Sequence, residues 1–461
     1  MMPVVKGAAL SISRSGFHHL LLPNHFFSKN RLLVANYKSI LENSSALQVS
    51  ALANLYSKLL NVEVNAQNDV LVTVGAYLAL YYTFNGWINP GDEVIVLQPA
   101  YDCYVPQVEI AGGIAVPIPL ELASNAKSSA DYRVNLAAIE AKITDRTKFI
   151  VINNPHNPTG KLFSREELEG IADIVKRHNL LVIADEVYEW HVYQGREMIR
   201  FGFLFLLPSI PGMYERTITI GSAGKIFSVT GWKLGWAIGP AALLAPLKAV
   251  HQNCVFTCST PTQEAVAQAI ERELSVMWSQ PMASYFKTEL VSELQTKRDR
   301  MAAMLRAAGM KPIIPDSGYF MMADFSSLIR RDEFQSYGDS SDPLDFRFVR
   351  WMCREKPFGL MIMFHINRSS LILSQNLAMI PPSAFYSDEY KKDNDRMVRV
   401  CFFKVNFLLQ CYISSLMLSQ NLAMIPPSAF YSDEYKKDND HMVRVCFFKV
   451  NFLLQCYMFL F

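Results

Sequence analysis

Residues 217–236, TITIGSAGKIFSVTGWKLGW, decide how this chain folds and where its chemistry lies. The β-branched run at 217–220 predicts a strand. Small residues follow at 221–224 and place one lysine, Lys225, at the end of that strand. Further glycines keep the backbone thin around Lys233. Lys225 alone would be a solvated loop charge, but its small neighbours indicate that a bulky anionic group approaches the backbone.

Three kinds of chemistry compete for Lys225. A phosphate-binding P-loop is disfavoured, because Ile226 stands where that motif needs Ser or Thr. An acylating Ser222 in a Ser-x-x-Lys pattern is a distant alternative, because the companion Ser-Asp-Asn and Lys-Thr-Gly motifs are absent from the chain. The third interpretation is an amine that forms a Schiff base with an aldehyde cofactor. This last chemistry needs partner residues elsewhere in the chain.

The rest of the chain predicts an α/β fold. Apolar runs at 70–74, 93–97, 148–152 and 180–184 predict strands, and helical patterns separate them. Strands that alternate with helices favour a mostly parallel sheet, with the site along its carboxyl edge. The turn and strand at 317–324 predict a second, α+β domain.

Polar and small residues stand where these predicted strands end. Gly75 lies between a strand and a helix start, where free amides can bind an anion. Tyr101 follows the next strand, and the loop 153–160 carries two Asn-Pro pairs that hold it in a defined shape. Asp185 ends a buried strand, where a carboxylate is costly without a cation. The plainer interpretations are core packing for Tyr101 and a helix cap for Asp185.

Bulk composition limits the class of protein. The chain has 461 residues, 51% of them apolar, and a formal net charge of +2, which favours two or three folded domains over disorder, nucleic-acid binding or membrane attraction. Its cysteines form no CxxC pair, so we expect a reduced intracellular protein and no metal site. Residues 1–41 lack acidic side chains, as a transit peptide does, or are a misread non-coding stretch.

The C-terminus contains an internal repeat. Residues 373–412 recur at 418–457 with one difference, Arg396 against His441. Solenoids stack at least three diverged units, so two near-identical copies do not indicate one. We hypothesise a duplicated exon whose flanking intron was translated, and a mature transcript that encodes both copies without intron sequence would refute this.

The ordered motifs of the chain resemble those of the fold-type I pyridoxal-phosphate aminotransferases, in particular the kynurenine aminotransferase group (glutamine transaminase K, cysteine-S-conjugate β-lyase). The similarity runs from about Ser45 to Pro357 and then within each repeat copy. The motifs that carry it are LVTVGAY (71–77), PAYDCY (99–104), NNPHNPTGK (153–161), ADEVY (184–188), PGMYERTITIGSAGKIFSVTGWKLGW (211–236), HQNCVFTCSTPTQ (251–263), PIIPDSGYF (312–320) and, in the first repeat copy, IPPSAF (380–385) and VRVCFFK (398–404).

This resemblance implies a division of the chain into domains. A divergent segment at 1–44 precedes a large cofactor-binding domain at 45–275. A small domain at 276–412 follows, with an insertion near 358–375. Residues 413–461 are then a near-identical duplicate of 373–412.

The resemblance also implies a role for each candidate residue. Lys225 forms the Schiff base with pyridoxal phosphate and carries a proton between the substrate α-carbon and the cofactor. Asp185 pairs with the pyridine nitrogen, Tyr101 stacks on the ring, and Asn157 and Tyr188 hydrogen-bond its 3-oxygen. The residues implied to hold the phosphate are Gly75, Ala76, Tyr77, Ser222 and Lys233.

The implied substrate contacts lie later in the chain. Arg399 binds the α-carboxylate of the substrate bidentately, as guanidinium geometry allows. Arg444 is its twin in the second copy, and only one of the two can take that place. Asn157 also approaches the substrate carboxylate.

These roles predict a transaminase that moves the amino group of kynurenine, glutamine or related aromatic or sulfur amino acids to a 2-oxo acid. A β-lyase side activity on cysteine conjugates, a homodimer and a cytoplasmic location are expected with it, with the mitochondrion as the alternative compartment. The alternative hypothesis is a truncated or misprocessed, catalytically silent product, because residues 1–44 and the end of the chain do not match the family's N-terminal arm and C-terminal helix.

Overall fold

The computed structural model describes residues 46–202, 212–307, 309–328, 341–355, 379–391 and 395–402. The predictions for 1–44, for the insertion at 358–375 and for the second repeat copy with Arg444 lie outside these residues. The helices are α1 (Ala46–Leu60), α2 (Ala76–Trp87), α3 (Tyr104–Ile110), α4 (Leu136–Ala141), α5 (Arg165–Arg177), α6 (Ala223–Ile226), α7 (Ala241–Cys254), α8 (Thr260–Val276), α9 (Glu289–Ala307), α10 (Leu344–Glu355) and α11 (Asp388–Lys391). The strands are β1 (Val70–Thr73), β2 (Glu93–Gln98), β3 (Ile114–Pro119), β4 (Glu121–Leu122), β5 (Tyr132–Arg133), β6 (Thr147–Asn153), β7 (Leu181–Asp185), β8 (Thr217–Ser222), β9 (Gly235–Ile238), β10 (Lys311–Ile313), β11 (Phe320–Asp324), β12 (Met379–Ile380) and β13 (Met397–Cys401).

Seven strands form the larger sheet, in the order β1-β9-β8-β7-β6-β2-β3. Strand β9 runs antiparallel to β1 and β8, and the other neighbouring pairs are parallel. The predicted mostly parallel sheet is therefore confirmed. Because β1, β2, β6, β7 and β8 share one direction, their carboxyl ends meet at a single edge.

The larger sheet is buried on both faces, which explains why its strands read as continuous apolar runs. In β2, Val94 and Val96 pack into one hydrophobic core, whereas Ile95 and Leu97 pack into a second. This alternation follows from the two-residue period of a strand. Helices therefore cover both sides of the sheet, and polar side chains are left for the strand ends.

The smaller sheet is antiparallel and has four strands, in the order β10-β11-β13-β12. Its register pairs Met322 of β11 with Arg399 of β13, and Arg399 also pairs with Ile380 of β12. The first repeat copy thus supplies two strands of this sheet. The domain boundaries at 44/45, 275/276 and 412/413 stay predictions.

A short segment, 316–319, joins the two sheets. The amides of Asp316 and Ser317 donate to the Gly160 carbonyl at 3.2 and 3.1 Å. The Gly318 amide donates to the His191 carbonyl at 2.7 Å. The connection between β10 and β11 of the smaller sheet is therefore hydrogen-bonded to the loops after β6 and β7.

No helix in the described ranges is long and apolar enough to cross a membrane. The same ranges bring no group of three or more His, Cys, Asp or Glu side chains together that could hold a metal ion.

Gly235 allows β9 to lie against the start of α2. A Cβ at this position would lie 2.4 Å from the Ala76 nitrogen, 2.7 Å from the Gly75 carbonyl carbon and 2.9 Å from the Gly221 oxygen. All three are backbone atoms, so none can rotate away. A side chain at Gly235 would push β9 away from β8 and from the start of α2.

We predict that Gly235→Ala lowers the free energy of unfolding by about 3 kcal/mol, because the added methyl overlaps fixed backbone. Urea denaturation of the purified protein measures this loss. Gly202→Ala is the control, since its nearest neighbour is the flexible end of Leu60 at 3.3 Å. Equal stabilities of the two variants would contradict the steric argument.

Candidate active site

A cavity of about 160 Å³ lies at the carboxyl edge of the larger sheet. It is lined by residues from β6, β7 and β8, from the start of α2 and from the turns that follow these strands. Of the predicted site residues within the described ranges, all except Arg399 contribute to the lining: Gly75, Ala76, Tyr77, Tyr101, Asn157, Asp185, Tyr188, Ser222, Lys225 and Lys233. The structure thus brings together side chains that are more than 150 positions apart in the sequence.

Lys225 lies in α6, the single helical turn that follows β8, and its side chain is half-buried. Its amine donates a hydrogen bond to the Tyr319 hydroxyl at 3.1 Å. The amine also lies 5.5 Å from the centre of the Tyr188 ring and 5.8 Å from that of Tyr319. The strand end, the small residues and the short helix together present this amine to the cavity.

Asp185 ends β7 and is 3% exposed. It accepts hydrogen bonds from the Tyr104 hydroxyl at 2.5 Å and from the Val187 amide at 3.4 Å. Burial raises the pKa of the Asp185 carboxyl to about 6, although both hydrogen bonds and the Lys225 charge act to lower it. Among the described residues no basic side chain forms an ion pair with Asp185.

The two carboxylates that follow Asp185 are paired with a cation. Arg200 contacts Glu186 at 2.9 Å and Glu189 at 2.5 Å, and all three side chains are buried. The Tyr56 hydroxyl also donates to Glu189 at 3.0 Å. Asp185 therefore differs from its neighbours: it faces the cavity and is open to a cationic group of a ligand.

Asn153, at the end of β6, connects Asp185 to the loop that follows β6. Its side-chain amide donates to the Asp185 carbonyl at 2.9 Å, and its side-chain oxygen accepts from the Asn157 amide at 2.7 Å. The Asn153 side chain therefore helps to hold the loop 153–160 in its defined shape, although Asn153 was not predicted as a site residue.

The start of α2 forms the side of the cavity where an anionic group of a ligand can bind. Gly75 adopts φ 80°, a conformation that favours glycine, and no side chain caps the helix. The first amides of a helix have no partner within it, and the helix dipole favours an anion there. Ser222 and Lys233 line the cavity beside these amides, with Lys233 exposed.

Arg399 does not line the cavity itself, but it hydrogen-bonds to Asn157, which does. Its guanidinium donates to the Asn157 side-chain oxygen at 3.0 Å. Its central carbon lies 4.2 Å from the Phe320 ring centre and 4.7 Å from that of Phe385, so the two rings hold the guanidinium between them. The Arg399 Nε is buried and has no partner within the described residues, so it can still donate.

Four contact residues were missed from the sequence: Tyr104, Asn153, His191 and Tyr319. Tyr104 stands one helical turn after Tyr101 in a quoted motif, which is the only signal that could have indicated it. Tyr319 also lies within a quoted motif. Nothing local marks His191, because its importance comes only from the rings that pack against it.

The family model for aminotransferase class I and II matches residues 37–402 of this chain. The chain belongs to the class I and II aminotransferase family. It is 44% identical over 359 residues to kynurenine–oxoglutarate transaminase 3 of Rattus norvegicus, covering 77% of this chain and 72% of that protein. It is 41% identical over 368 residues to kynurenine–oxoglutarate transaminase 1 of Mus musculus, covering 78% and 79%.

Solved structures show the same fold. Bna3p from Saccharomyces cerevisiae superposes with a TM-score of 0.69 at 29% identity, over 83% of this chain and 84% of that one. The N-succinyldiaminopimelate aminotransferase of Mycobacterium tuberculosis gives a TM-score of 0.62 at 32% identity, over 78% and 80%.

The cofactor of this family is pyridoxal phosphate, and the cavity has the groups that such a molecule needs. Lys225 offers an amine for an aldehyde. Asp185 offers a buried carboxylate that forms no ion pair with the described residues, suited to a protonated ring nitrogen. The helix start at Gly75 offers amides for a phosphate. The residues of this aminotransferase therefore fit its cofactor.

We predict that Tyr104→Phe destabilises the cofactor-free aminotransferase more at pH 8 than at pH 5. The pKa of Asp185 in the folded protein, about 6, lies above its ordinary value of 3.8, so the burial penalty grows as pH rises through this interval and is complete above it. Tyr104 relieves that penalty by hydrogen-bonding to the charged form. Its loss should cost about 1–2 kcal/mol more at pH 8, measured by urea denaturation at both values.

Tyr82→Phe provides the matched control for Tyr104→Phe. The Tyr82 hydroxyl is also buried but has no partner in the described part of the chain. Its removal should change stability equally at pH 5 and pH 8. If Tyr104→Phe also showed a pH-independent loss, its hydroxyl would not be supporting the charged form of Asp185.

Proposed function

We propose that this pyridoxal-phosphate-dependent aminotransferase takes its amino group from kynurenine, glutamine or related aromatic or sulfur amino acids and gives it to a 2-oxo acid. Relatives that are 41–44% identical over about three quarters of the chain are named kynurenine–oxoglutarate transaminases, which supports this choice. The observation that carries the reaction type is a single cavity that combines the Lys225 amine with the Asp185 carboxylate. A β-lyase side reaction on cysteine conjugates would use the same residues.

When bound, pyridoxal phosphate supplies an aldehyde for the amino group and a ring that draws electrons from the substrate α-carbon. We infer that Asp185 holds a negative charge at the ring nitrogen and that Tyr101 packs against the ring. Asn157 and Tyr188 are inferred to hydrogen-bond its 3-oxygen. The phosphate would bind at the amides of Gly75, Ala76 and Tyr77, with Ser222 and Lys233.

Lys225 is the inferred proton carrier. With the cofactor bound, this amine would take the proton from the substrate α-carbon as a base and give it back as an acid. In the first half of a ping-pong sequence the amino-acid donor would give up its amino group and leave, with one water consumed, as a 2-oxo acid. In the second half another 2-oxo acid would accept that amino group and the water would be released.

Arg399 is the inferred site for the substrate α-carboxylate. Its guanidinium plane is held between Phe320 and Phe385, and its Nε still lacks a partner among the described residues. A planar, pre-oriented fork suits a carboxylate. Asn157 would then contact both the substrate carboxylate and Arg399.

We also propose that the enzyme acts as a homodimer in the cytoplasm, with the mitochondrion as the alternative compartment. Two aromatic residues near the cavity support a partner, since Tyr77 is 52% exposed and Trp232 is 49% exposed. Sedimentation at micromolar concentration distinguishes dimer from monomer, and fractionation of cells that express the tagged chain gives its compartment.

The silent-product hypothesis is not favoured. The family match extends to residue 402, and the first repeat copy completes the smaller sheet with Arg399 in β13. Acyl transfer at Ser222 is not favoured either, because Ser222 lines the same cavity as the residues that fit the cofactor.

We predict that Lys225→Ala abolishes the visible absorbance that bound pyridoxal phosphate gains when its aldehyde is linked to a lysine. Transfer from kynurenine to 2-oxoglutarate should fall by at least about 100-fold, because the proton carrier is lost. Spectra and coupled assays measure both effects. Lys142→Ala, at an exposed lysine after α4, should change neither. An unaltered spectrum in Lys225→Ala would refute the assignment.

We predict that Arg399→Lys raises the KM for the amino acid by roughly 10- to 100-fold, because a lysine cannot make the bidentate contact. Cofactor affinity should change little, since Arg399 does not line the cofactor cavity. Steady-state kinetics and cofactor titration measure the two quantities. Arg444→Ala decides between the repeat copies: if it raises the KM instead, the second copy supplies the substrate arginine.

A further inference from the structure

We propose that Tyr319 is a positioning residue for the reaction: its hydroxyl holds the Lys225 amine whenever that amine is not linked to the cofactor. The proposal rests on Lys225 being the proton carrier. It assigns a task to a side chain that directly precedes β11 and that none of the cofactor or substrate contacts explains.

The first observation is the hydrogen bond itself. The Lys225 amine donates to the Tyr319 hydroxyl at 3.1 Å, and no other side chain in the described ranges hydrogen-bonds this amine. Asp185 interacts with Lys225 only through its charge. Tyr319 is therefore the group that decides where the free amine lies.

The chemistry of a phenol suits this task. A neutral amine that donates one N–H to an uncharged oxygen keeps its lone pair for a proton. A carboxylate at the same place would form an ion pair and hold the ammonium form instead. The hydroxyl can thus fix the position of the amine without removing its ability to act as a base.

Tyr319 also contacts Tyr188, the inferred partner of the cofactor 3-oxygen. The two rings meet edge to face at 5.3 Å. Burial raises the pKa of Tyr188 well above its ordinary value, and a hydrogen bond with Tyr319 contributes to the rise. The Tyr319 hydroxyl therefore lies between the amine and a residue of the cofactor site.

The His191 side chain, which packs against both Tyr188 and Tyr319, is uncharged. His191 is fully buried and packs edge to face on Tyr188 at 5.6 Å and on Tyr319 at 5.7 Å. Burial lowers the pKa of His191 to about 3, and the Lys225 charge adds to the effect. The imidazole is thus neutral at physiological pH and does not repel the amine. The titratable groups around the amine are Asp185, Tyr188, His191 and Tyr319, with Tyr101 and Lys233 in the same cavity.

The position of the Tyr319 hydroxyl is set by the backbone. The Tyr319 carbonyl accepts from the Phe402 amide at 3.0 Å, and the preceding Gly318 is bound to His191. A group fixed on both sides in this way is pre-organised, so it need not be ordered during the reaction.

Tyr319→Phe tests the proposal, since it removes the hydroxyl and keeps the ring. In a single turnover with excess amino acid, proton transfer should slow by roughly 10- to 100-fold, because a hydrogen bond to the reacting amine is lost. The KM and the dissociation constant of the cofactor should stay within about two-fold, since Tyr319 is not among the residues that line the cofactor cavity. An unchanged rate would overturn the proposal.

A second measurement uses the cofactor-free protein. Brief treatment with acetic anhydride, followed by peptide mass spectrometry, gives the acetylation rate of Lys225 relative to exposed Lys142 in the same sample. This ratio should rise at least about three-fold in Tyr319→Phe, because the amine is no longer held. An equal ratio in wild type and variant would overturn the proposal, even if the transaminase assignment were correct. A raised ratio in a protein without transaminase activity would instead show that only the functional assignment fails.

Tyr193→Phe is the matched control. It removes a buried tyrosine hydroxyl that binds the same segment at Gly318 but does not reach Lys225. Turnover and the acetylation ratio should both stay near the wild-type values. If Tyr193→Phe reproduced both effects, loosening of the segment and not the Tyr319 hydroxyl would explain them.

Discussion

A buried carboxylate that has no ion-pair partner in the described part of the chain is the constraint on which the site depends. Asp185 ends a strand whose neighbours are buried on both faces, and the nearby Arg200 is already paired with Glu186 and Glu189. The protein meets the cost with one tyrosine hydroxyl and one amide. The remaining stabilisation must come from the cavity side, which makes the edge of the sheet selective for a ligand with a cationic ring.

The close approach of backbone segments is the second requirement. Strand β9 runs antiparallel between β1 and β8, and it brings Gly235 against the start of α2. Only this approach puts the helix amides beside Ser222 and Lys225. The glycines within 217–236 therefore contribute to the site by leaving room for neighbouring backbone, and not through a chemical group of their own.

The segment 316–319 links the cofactor side of the site to the substrate side. Its backbone is bound to the loops after β6 and β7, and it leads directly into β11, which pairs with the strand that carries Arg399. The Arg399 guanidinium in turn contacts Asn157 of the β6 loop. Because Tyr319 of this segment also accepts from the Lys225 amine, the smaller sheet and that amine are held in a fixed relation to each other.

Much of this architecture could be predicted from the amino-acid sequence. Apolar runs located β1, β2, β6, β7 and β8 to within about two residues, and their polar ends indicated Asp185 and the turn at Gly75. Strand β9 was not predicted, because Gly231 and Lys233 stand just before it, it begins with Gly235, and its antiparallel direction leaves no local trace.

Some side-chain roles could likewise be predicted from the sequence, and others could not. A charged residue at the end of an apolar strand is costly to bury, and this cost can be recognised from the local sequence alone. Asp185 and Lys225 could therefore be predicted. The contacts of Tyr104, His191 and Tyr319 join segments up to 128 positions apart, the separation of His191 and Tyr319. Such contacts depend on the order of the strands and on how the 316–319 segment is bound, so only the tertiary structure decided them.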